Sequence, residues 1–304
     1  MADYSEVLRL FPASRHYVRQ RRWARRGDVL AYAANLETDV FSTDAYGFRH
    51  GDMDGQRYGL ATALSGAPYG LVLGASNVFG FGLESDAQTI PSRLSQLSGL
   101  HYLNISFPEA DLRTLHAAAT RIVSETPRMP ALIVCFAGGT LSRYGYGRRC
   151  DPLFGSPDFL SENTGSPPSG TPEEAVAFAN LLVFTRFWLE QISSLAGRCG
   201  CPLALYDETS AFEKTRLNEE ESACALTQPG SEDRERFATH RLRYTAFRQN
   251  LLTGAKNGIH VVSGTPDELS FIDEFHYTAA ASERIARDIA RSLQCAADRG
   301  VVDA

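Results

Sequence analysis

From Tyr69 onward, short apolar segments typical of β-strands alternate with longer segments typical of helices. This alternation is the pattern of βαβ units, which build a parallel sheet covered by helices on both faces. We expect strands near 69–74, 101–105, 131–136, 201–206 and 258–262, and helices near 88–98, 111–125, 173–197, 234–253 and 278–293. The sequence therefore predicts an α/β fold with five parallel strands, three layers in a flavodoxin-like arrangement, and right-handed crossovers.

Two connections are longer than the roughly two to six residues usual in such units. The first, 141–171, is rich in Gly, Pro, Ser and Tyr, and the second, 207–232, is charged and contains the acidic run Glu219-Glu220-Glu221. Because both follow strands at their carboxyl ends, we expect lids over an active site. We interpret the acidic run as a solvated helix face rather than a metal site. Residues 1–60 are predicted to be an extension packed on a core domain spanning 61–304.

The first predicted strand ends in a glycine-rich turn that presents a serine. Residues 69–82 read Tyr-Gly-Leu-Val-Leu-Gly-Ala-Ser-Asn-Val-Phe-Gly-Phe-Gly, which places Ser76 just beyond the strand. In an open α/β sheet, ligands bind in the crevice outside the carboxyl ends of the strands. Ser76 is therefore the candidate nucleophile. The alternative is that its hydroxyl merely caps the helix that follows.

A general base is available near the other end of the chain. Asp273 and His276 lie on one short segment before the last predicted helix. At this spacing the carboxylate can orient the imidazole, which in turn deprotonates the serine. The sequence predicts a catalytic triad of Ser76, His276 and Asp273, against the alternative that His276 only packs on its neighbours.

These motifs resemble those of the SGNH (GDSL-like) hydrolases in order and spacing. The first block of that family, a strand followed by Gly-Asp-Ser and a glycine-rich turn, is similar to Gly74-Ala75-Ser76-Asn77, in which Ala75 replaces the aspartate. The last block, Asp-x-x-His before the terminal helix, is matched by Asp273 and His276. The resemblance implies the strand order 2-1-3-4-5 and an acyl-enzyme formed on the serine.

In this chain the two middle blocks differ from the family pattern. Asn104-Ile105-Ser106 replaces Asn-x-Gly, and Gly138-Gly139-Thr140-Leu141 replaces Gly-x-Asn-Asp. The resemblance implies an oxyanion hole formed by the N–H groups of Ser76 and Ser106 and by the Thr140 hydroxyl, on a turn that starts with Gly138 and Gly139. Asn77 is either a fixed hydrogen-bonding partner or a specificity residue.

Three functions are compatible with these motifs. The first is an esterase or deacylase that acts on a small O-acylated metabolite or sugar. The second is an acyltransferase that passes the same acyl group to a hydroxyl or an amine. The third is a non-catalytic binding protein that keeps the fold with an altered site.

Composition excludes several other classes of protein. With 43% hydrophobic and 22% charged residues and a net charge of −6, the chain is of ordinary globular type and gives no reason to expect nucleic acid as a partner.

We find no apolar run long enough to span a membrane and no secretory signal, so the expected location is the cytoplasm. The six cysteines show no disulfide framework or metal spacing. The turn after Gly74 lacks the spacing of a phosphate loop, so no cofactor is expected.

The segment Arg15–Arg26 carries six arginines together with Tyr17 and Trp23. We interpret it as a solvated face whose apolar members dock on the protein. The alternative is a cationic patch for the phosphates of coenzyme A or of an acyl carrier's pantetheine. Further on, Gly47 is expected in a tight turn with Phe48 in the core, and the alternative is direct contact of this segment with a substrate.

Overall fold

The computed structural model describes residues 5–19, 23–26, 29–108, 110–140, 172–225, 242, 245–253, 255 and 259–298. Its strands are β1 (Trp23–Arg26), β2 (Val29–Tyr32), β3 (Gly51–Met53), β4 (Gln56–Tyr58), β5 (Tyr69–Gly74), β6 (His101–Ser106), β7 (Ile133–Phe136), β8 (Leu203–Asp207) and β9 (Ile259–Ser263). Its helices are α1 (Ser5–Leu10), α2 (Ser14–Arg19), α3 (Leu60–Leu64), α4 (Ser76–Phe79), α5 (Ile90–Ser98), α6 (Leu112–Glu125), α7 (Pro172–Cys199), α8 (Glu219–Ala225), α9 (245–253) and α10 (Ala279–Asp298). The predicted first lid, 141–171, lies outside the described residues, as do 226–232 of the second lid and most of 234–244.

The central sheet is built from five parallel strands in the order β6-β5-β7-β8-β9. Numbered along the chain from β5, this order is 2-1-3-4-5, so the predicted fold class is confirmed. Because the strands are parallel, the residues that follow β5, β6, β7 and β8 meet at one edge. Ser76, Gly138 and Glu208 all lie just beyond strands at that edge.

The interior strand β5 is fully buried because helices cover both faces of the sheet. Leu71 and Leu73 pack in a cluster with residues of α6 and α7, whereas Val72 packs on the opposite face with residues of α5 and α10. Strands buried on both faces are apolar at consecutive positions rather than alternate ones. The apolar run of β5 is therefore the local reason for the three-layer arrangement.

Helix boundaries follow from capping residues visible in the sequence. The Thr89 hydroxyl accepts a hydrogen bond from the N–H of Ser92 at the start of α5, which ends at Gly99 with φ of 74°. Asp111 Oδ1 accepts from the N–H of Thr114 at 2.8 Å at the start of α6. Such caps satisfy N–H groups that have no partner within the helix.

The N-terminal residues add two antiparallel hairpins, β1 with β2 and β3 with β4. Between these hairpins, Gly47 adopts φ of 82° and Phe48 is buried, as the sequence predicted. Tyr17, Tyr32 and Phe41 form an aromatic cluster with Phe79 and Phe81, which belong to the turn after Ser76. The first part of the chain therefore packs directly behind the candidate nucleophile.

The prediction of a solvated face for the acidic run is wrong at Glu221. The run does start a helix, and Glu219 and Glu220 are exposed. However, Glu221 is only 1% exposed, and its carboxylate lies 2.7 Å from Lys214 Nζ. It also accepts a hydrogen bond at 3.1 Å from the N–H of Phe271. The burial is possible because Lys214 supplies a buried counter-charge, which an acidic run does not reveal.

No helix in the described part of the chain is long and apolar enough to cross a membrane. The same residues contain no group of His, Cys, Asp and Glu side chains arranged to hold a metal ion. The cytoplasmic location stays a prediction.

Candidate active site

Ser76 lies at the carboxyl edge of the sheet, where β5 turns into the short helix α4. The turn closes through Gly80, whose φ of 89° is in the left-handed region and whose N–H donates to the Ser76 carbonyl at 3.0 Å. Gly82 has a φ of 82°. These glycines let the chain reverse within a few residues. Ser76 is half-buried at the surface of this turn.

The structure brings the predicted triad together across the sheet edge. His276 Nε2 lies 2.8 Å from Ser76 Oγ, and His276 Nδ1 lies 2.6 Å from Asp273 Oδ2. The Ser76 hydroxyl is thus engaged by the imidazole rather than by the helix that it begins. Nucleophile, base and orienting carboxylate are all within hydrogen-bonding distance, the geometry of a serine triad.

The Asp273 to His276 segment is a closed turn. Asp273 Oδ1 accepts hydrogen bonds at 2.9 Å from the N–H groups of both Phe275 and His276. The N–H of Ile272 donates to the His276 carbonyl at 2.7 Å. Asp273 is therefore fixed by its own loop while its second oxygen faces the imidazole.

Burial by itself raises the pKa of the Asp273 carboxyl, but the adjacent His276 ring and the backbone N–H donors outweigh burial. Its pKa therefore lies below the ordinary value. An ionised Asp273 accepts a hydrogen bond from the N–H at His276 Nδ1. In this tautomer Nε2 carries no proton, so it can accept the proton of Ser76. The electrostatics of the loop thus select the tautomer that a general base needs.

Sequence reasoning missed an aromatic support for the histidine. The Phe81 ring packs on the His276 ring with centroids 4.4 Å apart, and the centroid of the Tyr17 ring lies 5.1 Å from that of Phe81. The Tyr17 hydroxyl donates to the Leu83 carbonyl at 2.8 Å. Phe81 lies between Gly80 and Gly82 of the serine block, and an aromatic residue at this position was the sequence signal that could have indicated this contact.

Arg49 was also missed, although it is among the largest fully buried side chains in the described part of the chain. Its Nε donates to Asp86 at 2.7 Å, and one terminal nitrogen donates to the carbonyls of Phe79 and Gly80 at 3.0 and 2.8 Å. That nitrogen also donates to the Tyr17 hydroxyl at 2.8 Å. Arg49 therefore binds the backbone of the turn that follows Ser76.

In the second block, Ser106 lies at the end of β6, opposite Gly74 in the sheet. Its hydroxyl donates to Asn104 Oδ1, and the Asn104 amide donates to the Val78 carbonyl at 3.2 Å. The Ser106 side chain is thus bound within the protein. Only its backbone N–H remains a candidate oxyanion donor.

In the third block, the N–H of Gly138 donates to Glu208 Oε2 at 2.6 Å and is therefore already used. A Cβ at Gly139 would lie 2.4 Å from the Ala75 Cβ, so this turn packs directly on the residue before the nucleophile. Thr140 is 1% exposed, and its hydroxyl has no hydrogen-bond partner among the described residues. Of this block, the Thr140 hydroxyl is the donor that remains available.

Asn77 is a buried hydrogen-bonding residue, one of the two roles that the sequence left open. Its amide nitrogen donates to Glu208 Oε1, and its Oδ1 accepts from the N–H of Val78 at 2.9 Å. Glu208 is 6% exposed. Sequence reasoning did not single out Glu208, but an acidic residue directly after a parallel strand was a usable signal.

The described part of the predicted second lid packs on the histidine loop. The N–H of Ala211 donates to the Glu274 carbonyl at 3.0 Å, and the Phe212 and Phe275 rings lie 5.5 Å apart. The hydroxyl of Tyr277 donates to the Thr209 carbonyl at 3.0 Å. These residues fix the loop against the body of the protein.

In the arginine-rich segment, Arg15 is exposed and Tyr17 is fully buried. The segment continues into β1, and the side chains beyond Tyr17 lie outside the described set. A phosphate-binding patch here stays a prediction.

No protein-family model matches the chain, and no curated protein matches it. Solved structures do. A carbohydrate acetylesterase from Sinorhizobium meliloti is 12% identical with a TM-score of 0.46, covering 75% of this chain and 99% of its own. A carbohydrate esterase family 2 enzyme from Corynascus thermopiles (Myceliophthora fergusii) is 13% identical with a TM-score of 0.44, covering 81% and 70%.

A salicylyl-acyltransferase from a tetracycline biosynthetic pathway is 16% identical with a TM-score of 0.38. The match covers 75% of this chain and 55% of the acyltransferase. Structures described as GDSL-like lipases are also similar to the chain. At these identities and scores, the function must be argued from the site itself.

Proposed function

We propose that this protein is a serine-dependent acyl-ester hydrolase of SGNH type that acts on a small O-acylated metabolite or sugar. One observation carries the proposal: His276 Nε2 lies 2.8 Å from Ser76 Oγ while Nδ1 lies 2.6 Å from a buried Asp273. A serine hydroxyl that only fills a structural role has no need of an imidazole oriented by a carboxylate.

The reaction proceeds in two steps through an acyl-enzyme. Ser76 Oγ attacks the acyl carbonyl while His276 Nε2 accepts its proton, and the imidazolium then protonates the departing alkoxide. A water molecule next gives its proton to Nε2 and attacks the acyl-serine, which releases the acid and restores the hydroxyl. Asp273 holds the ring and stabilises the imidazolium in both steps.

The oxyanion formed in each step needs hydrogen-bond donors in place before the reaction. We assign this role to the N–H groups of Ser76 and Ser106 and to the hydroxyl of Thr140. The assignment of Thr140 is supported by its buried, unpartnered hydroxyl in the described structure. A buried hydroxyl without a partner is costly, and an oxyanion would give it one.

Transfer of the acyl group to a hydroxyl or amine is the second candidate function. It is motivated by the predicted lids, because a lid that excludes competing water from the acyl-enzyme favours transfer. The described residues 209–212 of the second predicted lid contact the histidine loop. A polyol acceptor added to the assay distinguishes the outcomes, since transfer gives an acylated polyol and hydrolysis gives only the free acid. Coenzyme A and carrier proteins loaded with the same acyl group test the predicted phosphate patch as a donor site.

The test is hydrolysis of a series of aryl esters from acetyl to octanoyl by the wild type and by Ser76→Ala. We expect the variant to lose activity by about 10³-fold or more. The exposed Ser65, whose hydroxyl donates to the Thr62 carbonyl, provides a matched control as Ser65→Ala. Equal activity in the wild type and Ser76→Ala would contradict the proposal and favour a binding protein with an altered site.

A further inference from the structure

A buried carboxylate outside the triad connects two turns of the candidate site. Glu208 follows β8 directly, and its two oxygens accept hydrogen bonds from different turns. One comes from the amide of Asn77, next to the nucleophile, and the other comes at 2.6 Å from the N–H of Gly138. Gly138 begins the turn that carries Thr140.

The two turns are fitted closely around this carboxylate. A Cβ at Gly138 would lie 2.5 Å from the Glu208 Cδ, so the carboxylate lies directly against the glycine backbone. Likewise, a Cβ at Gly139 would lie 2.4 Å from the Ala75 Cβ, so the backbone of Gly139 packs directly against Ala75. The turn of the nucleophile and the turn of Thr140 therefore touch at one point and are joined by Glu208 at another.

Glu208 is a buried carboxyl whose two hydrogen bonds favour its ionised form while its burial opposes that form. No Lys or Arg nitrogen in the described part of the chain forms an ion pair with it, and both of its hydrogen-bond partners named above donate. The titratable groups that face it are Asp207, Arg248, Tyr206 and Cys135. An unpaired carboxylate in such a place is expensive to bury, and such costs concentrate at functional sites.

We propose that Glu208 is a positioning residue that holds the Ser76 to Asn77 turn and the Gly138 to Thr140 turn in the arrangement that surrounds the oxyanion. This rests on the proposed function, since it assigns Glu208 a part in the reaction of Ser76. An ionised carboxylate accepts from both donors and donates to neither, whereas a protonated carboxyl carries an O–H on one of its two oxygens. A glutamine has one acceptor oxygen, so it leaves either Asn77 or Gly138 facing an NH₂ group.

The role has a signature in the pH dependence. Burial raises the pKa of Glu208, and the hydrogen bonds from Gly138 and Asn77 lower it. Burial is the larger effect, so the pKa lies at about 7. Asp207 adds to the rise and Arg248 opposes it. As pH falls through this value, the carboxyl gains a proton and loses an acceptor site. This titration adds to the acid limb of kcat/KM in the wild type and is absent from Glu208→Gln, so the wild-type limb is the steeper of the two.

The test compares ester hydrolysis by Glu208→Gln, by the double variant Asn77→Asp with Glu208→Gln, and by Glu213→Gln. The double variant reverses one hydrogen bond, because the amide nitrogen introduced at position 208 then donates to the new carboxylate at position 77, while the amide oxygen accepts from Gly138. Glu213 is the matched control, a carboxylate on the same segment that binds Arg248 instead of the two turns.

We expect kcat of Glu208→Gln to fall by about tenfold or more with KM changed less than about threefold, since misplaced oxyanion donors affect the transition state. The double variant recovers at least about fivefold over Glu208→Gln. Glu213→Gln, which keeps Glu208, stays near the wild type both in kcat and in its steep acid limb, whereas Glu208→Gln loses that steepness. Unchanged kcat and pH profile in Glu208→Gln overturn the proposal. So does a double variant no better than the single one.

A fluorophosphonate that labels Ser76 separates this proposal from the function on which it rests. If the wild type is not labelled and cleaves no ester, the proposed function and the positioning role both fail. If the wild type is labelled but Glu208→Gln reacts at the same rate, only the positioning role fails. Should Glu208→Gln not fold, ester hydrolysis by the double variant decides: a kcat within about tenfold of the wild type supports the role, and a larger loss in the folded double variant overturns it.

Discussion

Asp273 illustrates how single atoms decide the chemistry of this site. One oxygen is bound by the N–H groups of Phe275 and His276, and the other faces His276 Nδ1. An asparagine can keep the first set of contacts with its carbonyl oxygen, but its NH₂ group would then face Nδ1. That arrangement favours the tautomer with the proton on Nε2, which cannot accept the proton of Ser76.

We therefore expect Asp273→Asn to lower kcat by about 10³- to 10⁴-fold while the protein stays folded. Steady-state ester hydrolysis measures the loss, and circular dichroism confirms the fold. The exposed Asp267 provides the control as Asp267→Asn, which should stay near wild type. Activity of Asp273→Asn within tenfold of wild type would mean that the imidazole is not oriented as proposed.

Thr140 provides a test of the oxyanion hole at the scale of one hydroxyl. Thr140→Val keeps the shape and removes the donor, whereas Thr140→Ser keeps the donor. We expect Thr140→Val to lose about 100- to 1,000-fold in kcat and Thr140→Ser to stay within about fivefold of the wild type, because one oxyanion donor contributes about 2.7 to 4 kcal/mol. Equal losses in both variants would indicate a packing role for the threonine instead of hydrogen bonding.

At the scale of elements, the position of Ser76 depends on contacts between the N-terminal residues and the turn after α4. The buried Arg49 pairs with Asp86 and binds the carbonyls of Phe79 and Gly80. The ring of Tyr17 then packs on Phe81, which packs on His276. The extension is thus connected to both the nucleophile and the base.

We expect Arg49→Met to lower the free energy of unfolding by about 3 to 5 kcal/mol, because it leaves Asp86 as a buried, unpaired charge. Urea unfolding measures the change. Arg57→Met is the matched control: Arg57 forms an exposed pair with Glu37, and its loss should cost no more than about 1 kcal/mol. Similar losses in the two variants would show that Arg49 does not hold the turn.

The elements themselves could be predicted from the sequence because their signals are local. The apolar run of β5 ends at Gly74, and Thr89 and Asp111 mark the starts of α5 and α6. The contacts of Glu208 could not be predicted in this way. Its partner Asn77 is 131 residues away, and a single sequence does not show which buried charges meet. The same applies to Arg49 with Asp86 and to Glu221 with Lys214.

At the scale of the whole molecule, the buried Glu208 couples the site to stability. The pKa of Glu208 in the folded protein, about 7, lies above the ordinary value for a glutamate. The folded state therefore binds a proton more tightly than the unfolded state. Below the ordinary glutamate pKa both states are protonated, and as pH rises from there through about 7 the folded state loses stability relative to the unfolded state.

We expect the stability of the wild type to rise relative to that of Glu208→Gln as pH falls from about 8 to about 5. The reason is that only the wild type gains stability by taking up this proton. Thermal unfolding of both proteins across that range measures the shift. A difference that is constant with pH would show that Glu208 does not change its protonation in the folded protein.

The central claim is that Ser76 is an activated nucleophile, and the most direct measurement is the intact mass of the protein after exposure to a serine-directed fluorophosphonate. We expect a single adduct on the wild type, located on Ser76 by peptide mapping, and no adduct on Ser76→Ala or His276→Ala. A folded wild type that gains no mass, or a Ser76→Ala variant that gains the same mass, would contradict the claim.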